Sequence, residues 1–154
     1  MSTGLPESNA TLQRVRDLLN EGRPDQALSV LNRTKDHSHW AENARGVCLM
    51  RLGYPDQAVW VYRSFLLVNG TAIWEDAPTV FVVNFATAML LSGNMQGAVI
   101  TLDELHQPDD PGVNRLRGAI DRWRQSQGVL RRIWYAIVGM PDKPIDLDFP
   151  PGEA

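Results

Sequence analysis

Few side chains in this sequence could perform chemistry, and their spacing does not assemble a metal site. His37 and His39 lie two residues apart in a polar segment, and Cys48 follows about two helical turns later. Zinc sites take Cys, His or acidic ligands as a tight set of three or four, and this set is too thin. We therefore expect His37, His39 and also His106 to be exposed side chains, and we predict no metal and no cofactor.

Nucleophilic and acid–base catalysis are equally poorly supported. Cys48 is the single cysteine, and a nucleophilic thiol needs a base and a lowered pKa. Its apolar neighbours Val47 and Leu49 favour a buried, unreactive thiol instead. Carboxylates occur as adjacent pairs, which diverge on a helix and do not form a catalytic pair. The pairs are Glu75-Asp76, Asp103-Glu104 and Asp109-Asp110. The sequence therefore predicts a protein that is not an enzyme.

Length and composition limit the class of protein further. The chain has 154 residues and a formal net charge of -3, so it suits one domain and does not bind nucleic acid through overall charge. Residues 1–9 lack the basic start and apolar run of a signal peptide. No stretch of about 18 apolar residues exists, so we predict no membrane span. The lone cysteine excludes a disulfide framework and indicates a reducing, cytoplasmic location.

A hexapeptide that occurs twice organises the chain. It reads GRPDQA at residues 22–27 and GYPDQA at 53–58, and a weaker copy, GNMQGA, stands at 93–98. Glycine ends one helix with a left-handed residue, and proline fits the first turn of the next helix. The final alanine is small enough to let two helices approach closely. Each copy therefore predicts a tight turn between paired helices.

Apolar residues at helical spacing flank each turn. They predict helices over residues 9–21, 24–33, 39–52, 55–67, 78–91 and 95–105, with a longer connector at 68–77. Further helices are predicted from Pro111 onward and over about 129–138. The resulting expectation is an all-α domain of residues 9–139, built from hairpins 9–34, 39–67 and 78–106 followed by capping helices at 111–139.

At these residues the chain resembles the tetratricopeptide repeat family, over roughly residues 9 to 110. The matching small, aromatic, Gly and Ala positions of the second repeat are Gly46, Leu49, Gly53, Ala58, Tyr62 and Phe65. The first repeat matches at Leu18, Gly22, Ala27 and Leu31, and the third at Ala86, Met89, Gly93, Ala98 and Leu102. The resemblance implies a solenoid of three stacked hairpins with a concave inner groove.

In that family the first helix of each hairpin lines the groove. Carried over position by position, the peptide-binding groove would comprise Leu12, Arg16, Leu19, Trp40, Asn43, Val47, Met50, Arg51, Val80, Val83, Asn84, Thr87 and Leu90. Leu12 and Val80 occupy two positions where family members that clamp a terminal carboxylate have lysine, so we expect no such clamp. An apolar groove with two asparagines suits a peptide held by its side chains and main chain. The alternative is that these residues pack on the C-terminal helices.

The C-terminal helices carry an arginine cluster and a wide apolar face. Six arginines, Arg115, Arg117, Arg122, Arg124, Arg131 and Arg132, are opposed only by Asp121. Three interpretations stay open: a solvated face, a surface for an acidic partner or for the chain's own tail, and a site for nucleic acid or anionic lipid. The apolar set of the last helix predicts a cap on the core, a homodimer interface, or both.

Residues 140–154, which we call the tail, are rich in proline and acidic residues and are expected to be extended and poorly packed. Ile145, Leu147 and Phe149 alternate with Asp146 and Asp148, so an extended chain would point the apolar side chains to one side. One alternative is a solvated end without a role. The other is a segment that lies in the groove, or meets the arginines, and competes with an external peptide.

Together these observations predict an interaction module that binds a peptide or protein segment in its groove. The alternative is a small dedicated chaperone, because three-repeat members of the resembled family with a C-terminal capping helix include type III secretion chaperones. The two classes differ in their partner: a chaperone holds one unstable client, whereas an adaptor binds a stable protein.

Overall fold

The structure is a computed structural model that describes residues 10–34, 36–105, 107, 109–139 and 144–154. The predicted helix start at Asn9, the predicted hairpin end at His106 and the first four residues of the tail lie outside this part.

The described part of the chain is all-α apart from one short β-hairpin. Its helices are α1 (Ala10–Asn20), α2 (Pro24–Thr34), α3 (His39–Arg51), α4 (Pro55–Leu66), α5 (Thr79–Leu91), α6 (Met95–Glu104), α7 (Pro111–Ser126) and α8 (Val129–Val138). The strands β1 (Leu67–Val68) and β2 (Ala72–Ile73) pair antiparallel, with Leu67 opposite Ile73. The hairpin lies within the connector that the sequence predicts between the second and third helix pairs.

The same turn joins the helices of each of the first three pairs. Gly22, Gly53 and Gly93 have φ of 70°, 83° and 93°, a left-handed conformation that glycine adopts without steric cost. In the first turn, Gly22 donates to the Leu19 carbonyl at 3.1 Å and Arg23 donates to the Leu18 carbonyl at 2.8 Å. This pair of bonds is a Schellman motif, and it recurs after Gly53 and Gly93. The duplicated hexapeptide is therefore a duplicated helix end.

The helices pack in chain order and share one core. Each helix from α1 to α5 contacts the next helix in the chain, and α3 also contacts α1 and α5. Ala27, Ala58 and Ala98, which close the three copies of the hexapeptide, are fully buried, as expected where two helices approach closely. Helix α5 is central because it contacts α3, α4, α6 and α7.

Helices α7 and α8 differ in what they cover. Helix α7 buries Val113, Leu116, Ala119 and Ile120 and packs on α5. None of the ten residues of α8 is buried, whereas the sequence predicts that this helix is a cap on the core, a homodimer interface, or both. The shielding is done by α7 and by the tail, whose Ile145 is only 3 % exposed. No helix in the described residues is long and apolar enough to cross a membrane.

Candidate binding groove

The described residues of the tail, 144–154, lie across α1, α3 and α5. We call the surface of these three helices that contacts the tail the groove. The Ile145 amide donates to the Leu90 carbonyl of α5 at 3.3 Å. At the other end, Nε of Arg16 in α1 donates to the main-chain oxygen of Ala154 at 2.9 Å. The tail therefore crosses from α5 to α1. This contrasts with the poorly packed segment that its proline and acidic content predicts.

Two buried asparagines bind the main chain of Glu153. Nδ2 of Asn84 donates to the Glu153 carbonyl at 2.6 Å, and the Glu153 amide donates to Oδ1 of Asn84 at 3.1 Å. Nδ2 of Asn43 donates to the same carbonyl at 3.1 Å. The two asparagines are joined by a bond from Nδ2 of Asn84 to Oδ1 of Asn43 at 2.8 Å. Both side chains are at most 1 % exposed, so water does not reach them while the tail is bound. The tail therefore supplies the hydrogen-bond partners that these buried amides need.

Tyr62 holds Asn43 from behind. Its hydroxyl lies 3.2 Å from the Asn43 carbonyl and 3.3 Å from Oδ1. The ring fits because position 46 is glycine: a Cβ on Gly46 would lie 2.5 Å from Cε2 of Tyr62. Burial raises the pKa of the Tyr62 hydroxyl well above its ordinary value, so the hydroxyl stays protonated and donates. The asparagine pair is thus preorganised by α4.

Arg51 binds the two main-chain carbonyls of the tail that precede Glu153. Its Nε donates to the Pro151 carbonyl at 3.0 Å and its Nη2 to the Gly152 carbonyl at 2.9 Å. Nη1 donates to the Leu19 carbonyl at the end of α1 at 2.8 Å. The guanidinium therefore fastens α1, α3 and the tail together. Burial lowers the pKa of Arg51 from its ordinary value, although an arginine remains charged near neutral pH.

At position 152 only glycine fits without a movement of the neighbouring side chains. Its φ is +80°, and a Cβ at this position would lie 2.8 Å from Cε of Met50 and 2.8 Å from Cγ2 of Val47. Both side chains belong to α3 and are buried. The backbone of the tail thus approaches α3 as closely as a glycine allows.

Apolar side chains anchor the first half of the tail. Ile145 is buried, and Leu147 and Phe149 are partly buried against the core, whereas Asp146 and Asp148 are exposed. This is the alternation that an extended chain predicts. Near Phe149 a cavity of about 140 Å³ remains. It is lined by α5, α7 and the tail, including Val80, Val83, Thr87, Leu116, Phe149 and Pro150.

Arginines of α7 lie over the acidic side of the tail. Arg122 pairs with Asp148 at 3.1 Å and Arg115 with Glu153 at 3.5 Å. The Arg115 guanidinium also stands over the Phe149 ring, 5.4 Å from its centroid. All four charged side chains are largely exposed, and such pairs contribute little to stability. We infer that they orient the tail, whereas the buried hydrogen bonds hold it.

The structure brings together most of the residues that the sequence assigns to a groove. Those that contact or lie against the tail are Arg16, Asn43, Val47, Met50, Arg51, Asn84 and Leu90, with Val80, Val83 and Thr87 at the adjoining cavity. For the other three the structure gives other contacts. Leu12 lies against the core, Leu19 is buried, and Trp40 packs edge-on against Phe81 with ring centroids 4.8 Å apart.

The groove residues predicted from the sequence include none from α7, although one alternative has the arginine cluster meet the acidic side chains of the tail, as Arg115 and Arg122 do. Gly112, Arg115 and Leu116 line the cavity beside the tail, and Asp110 fixes the start of α7 by accepting from the Gly112 and Val113 amides at 2.8 and 3.0 Å. The arginine cluster was the available signal. Its spacing did not tell which arginines face the tail, because helical periodicity does not identify the neighbour that covers each face.

The residues considered for chemistry do not converge. No group of three His, Cys, Asp or Glu that could hold a metal occurs among the residues that the structure describes. Cys48 is fully buried, and desolvation raises the pKa of its thiol to about 12. His37 and His39 are exposed; His37 pairs with Glu42 at 2.9 Å and His39 stacks on Phe65 at 5.6 Å. The groove, with its buried polar side chains directed at one segment, is therefore the candidate functional site.

In its described part, then, this is an all-α protein made of sequential helix pairs, with an extended segment held across the first helices of those pairs. Comparison with protein-family models, with curated proteins and with solved structures gave no match to this chain.

Proposed function

We propose that this protein is a tetratricopeptide-like interaction module whose groove binds an extended segment of a partner protein. One observation carries the proposal: the groove binds the main chain of residues 151–154 through Arg16, Asn43, Arg51 and Asn84. Side chains that bind a main chain recognise an extended segment as such. The sole cysteine supports a cytoplasmic setting for this activity.

The physical basis is an exchange of one segment for another. Asn43 and Asn84 are buried beneath the tail. When the tail leaves, their amides lose an acceptor that water replaces only as it enters the groove, and a polar group left unsatisfied costs about 1–3 kcal/mol. A partner segment that offers carbonyls at the same positions removes that cost. Because the chain's own tail holds the groove, the partner binds the open fraction of molecules, and its apparent affinity falls by that fraction.

The test is selection of peptides from an unbiased library on a chain that carries Gly152→Ala, which loosens the tail, followed by affinity measurements on groove variants of that same chain. With the tail loosened, a lost groove contact weakens the peptide and is not offset by weaker competition from the tail. We expect Arg51→Ala and Asn84→Ala in this background to weaken binding of the selected peptides by about tenfold or more. The matched control is Arg63→Ala, on the exposed surface of α4, which should leave their affinity unchanged. Peptides that bind equally to the background chain and to its Arg51→Ala and Asn84→Ala variants would show that the groove is not the binding site.

A second candidate function, a small dedicated chaperone, is favoured by the exposed apolar face of α8. Leu130, Ile137 and Trp134 are 83 %, 77 % and 61 % exposed, which is unusual for three large apolar side chains on one helix. A chaperone would hold one client that is unstable alone. Co-expression with the bound protein, and the solubility of that protein without this chain, separate this function from that of an adaptor.

A further inference from the structure

We propose that the groove recognises a segment of the form Pro-Gly-acidic that follows an apolar anchor, and that the tail is a built-in competitor for this segment. The inference rests on the proposed function and specifies its partner. The tail serves as the template, because residues 144–154 show which features of a segment the groove detects and which it ignores.

The groove presents mostly hydrogen-bond donors. Five donor atoms face main-chain oxygens of residues 151–154: Arg16 Nε, Asn43 Nδ2, Arg51 Nε, Arg51 Nη2 and Asn84 Nδ2. A single acceptor, Asn84 Oδ1, takes the amide of Glu153. A competing segment must therefore offer carbonyls at four successive residues and one N–H at the third of them.

This arrangement accepts proline at the first of the four positions. Pro151 is bound only through its carbonyl, so its missing N–H is not needed, and its fixed φ lowers the entropy lost on docking. Proline is excluded at position 153, whose N–H is used by Asn84.

Glycine is required at the second position. Gly152 has a left-handed φ, and a Cβ there would lie within 3 Å of both Met50 and Val47. An alanine suffers backbone strain and a clash with two buried side chains of α3. The neighbouring Glu153 pairs with Arg115 at 3.5 Å. Because both side chains are largely exposed, this pair orients the segment and adds only a weak preference for an acidic residue after the glycine.

The anchor lies several residues earlier. Ile145 is 3 % exposed and is also held by its amide, which donates to the Leu90 carbonyl. Phe149, between the anchor and Pro151, lies under the Arg115 guanidinium. The partner segment is therefore an extended peptide with an aliphatic residue, an aromatic residue and a Pro-Gly-acidic group followed by one more residue, at the spacing of residues 145, 149 and 151–154.

The tail competes because it is tethered. A segment linked to its site by a short connection has an effective concentration in the millimolar range, so a free peptide with the same contacts binds poorly to the intact chain. Weakening the tail in place removes this competition. A substitution in the tail should therefore increase the affinity of the groove for a peptide added in solution.

The experiment measures binding of a fluorescent peptide of residues 144–154 to three full-length chains by anisotropy. They are the parent chain, Gly152→Ala and the control Gly70→Ala. Gly70 has a φ of +75°, and a Cβ added there would meet no atom within 4 Å, so its substitution adds similar backbone strain away from the groove. We expect Gly152→Ala to bind the peptide about 10- to 100-fold more tightly than the other two chains.

A second peptide tests the sequence requirement. The same peptide with its glycine replaced by alanine should bind the Gly152→Ala chain about 10-fold or more weakly. Ile145→Ser provides an independent release of the tail at its other end, should Gly152→Ala fail to fold by circular dichroism. It too should bind the unmodified peptide more tightly than the parent chain does.

Each contrary outcome identifies what fails. Equal affinity of the parent and tail variants would overturn the tail as competitor, and equal affinity of the two peptides would overturn the glycine requirement. Library-selected peptides that lose affinity on Arg51→Ala but do not compete with residues 144–154 would leave the proposed function standing and remove this inference. Peptides unaffected by Arg51→Ala would remove both.

Discussion

The side-chain amide of Asn84 and the main chain of Glu153 each donate to and accept from the other, with distances of 2.6 and 3.1 Å. This reciprocal pair of hydrogen bonds, between a helix side chain and an extended segment, resembles the pair that two facing residues exchange in an antiparallel sheet. Asn84 is 1 % exposed, so neither bond has water as a ready replacement. The contact therefore joins the middle of α5 to a residue 69 positions later in the chain.

Asn84→Ala should release the tail and lower the free energy of unfolding by about 1–3 kcal/mol, because it removes both bonds and leaves Asn43 with a weaker network. Urea denaturation measures the loss, and hydrogen exchange at the Ile145 and Glu153 amides reports tail release. The control is Ser92→Ala, whose hydroxyl donates to the Met89 carbonyl of its own helix. Unchanged protection of both amides in Asn84→Ala would contradict the role assigned to Asn84.

Gly46→Ala should be strongly destabilising although alanine is the better helix former. Its Cβ would lie 2.5 Å from the Tyr62 ring, and overpacking of this kind costs about 1–3 kcal/mol. Gly118→Ala is the matched control, since it too lies inside a helix but has only the Arg122 guanidinium at 3.4 Å. We expect Gly118→Ala to be neutral or to stabilise by about 0.5–1 kcal/mol. Similar urea midpoints for the two variants would show that the Tyr62 ring moves aside without loss of stability.

Alkaline pH should destabilise the protein through Cys48. The pKa of this thiol is raised from 9.0 to about 12 in the folded chain, so the unfolded chain loses its proton first. The stabilising contribution is complete below about pH 9 and is lost as the pH rises toward 12, with a slope of up to about 1.4 kcal/mol per pH unit. Urea unfolding at pH 8 and pH 10 measures this decline.

The control for this pH effect is Cys48→Ala, which should show a smaller decline between the same two pH values. Tyr62 also has a raised pKa and leaves a residual slope in the variant. An identical decline in the parent and Cys48→Ala chains would exclude the thiol as a source of the effect.

The apolar face of α8 should drive self-association, as the wide apolar set of its sequence predicts. Leu130 and Ile137 are 83 % and 77 % exposed, so replacing both by glutamate removes apolar surface without disturbing the core. We expect sedimentation to show a concentration-dependent dimer for the parent chain and a monomer for Leu130→Glu/Ile137→Glu. The free energy of unfolding measured for the two chains at low concentration should agree within about 0.5 kcal/mol.

Local sequence signals predicted the helix pairs well. All three hexapeptide copies have glycine first and alanine last, and the first two also have proline at the third position. Each of these residues affects only the structure within about one helical turn. The predicted ends of α1 to α6 therefore differ from the observed ends by about one residue where the structure describes them. The buried alanines Ala27 and Ala58 follow from the same local pattern.

The tail and α8 were harder to predict because their surroundings are distant in the chain. Proline and aspartate in residues 140–154 are typical of solvated segments, and nothing local reveals that Arg51 binds Pro151, 100 residues away. In α8 the helical spacing of the apolar residues predicts that one face is buried, but it does not identify the surface that would cover that face. The helix packs through Tyr135, whose ring stacks on Trp123 at 6.0 Å, and its apolar face points outward.

The long sequence separation of the tail contacts also orders events during synthesis. Arg16 and Ala154 are 138 residues apart, and at about 5–20 residues per second the ribosome adds Ala154 roughly 7 to 30 s after Arg16. Helices α1 to α4 can pair before then, since their contacts are local. A nascent chain consequently carries an open groove until translation delivers the tail, so a segment that binds the groove, as proposed above, would meet no competitor on the ribosome.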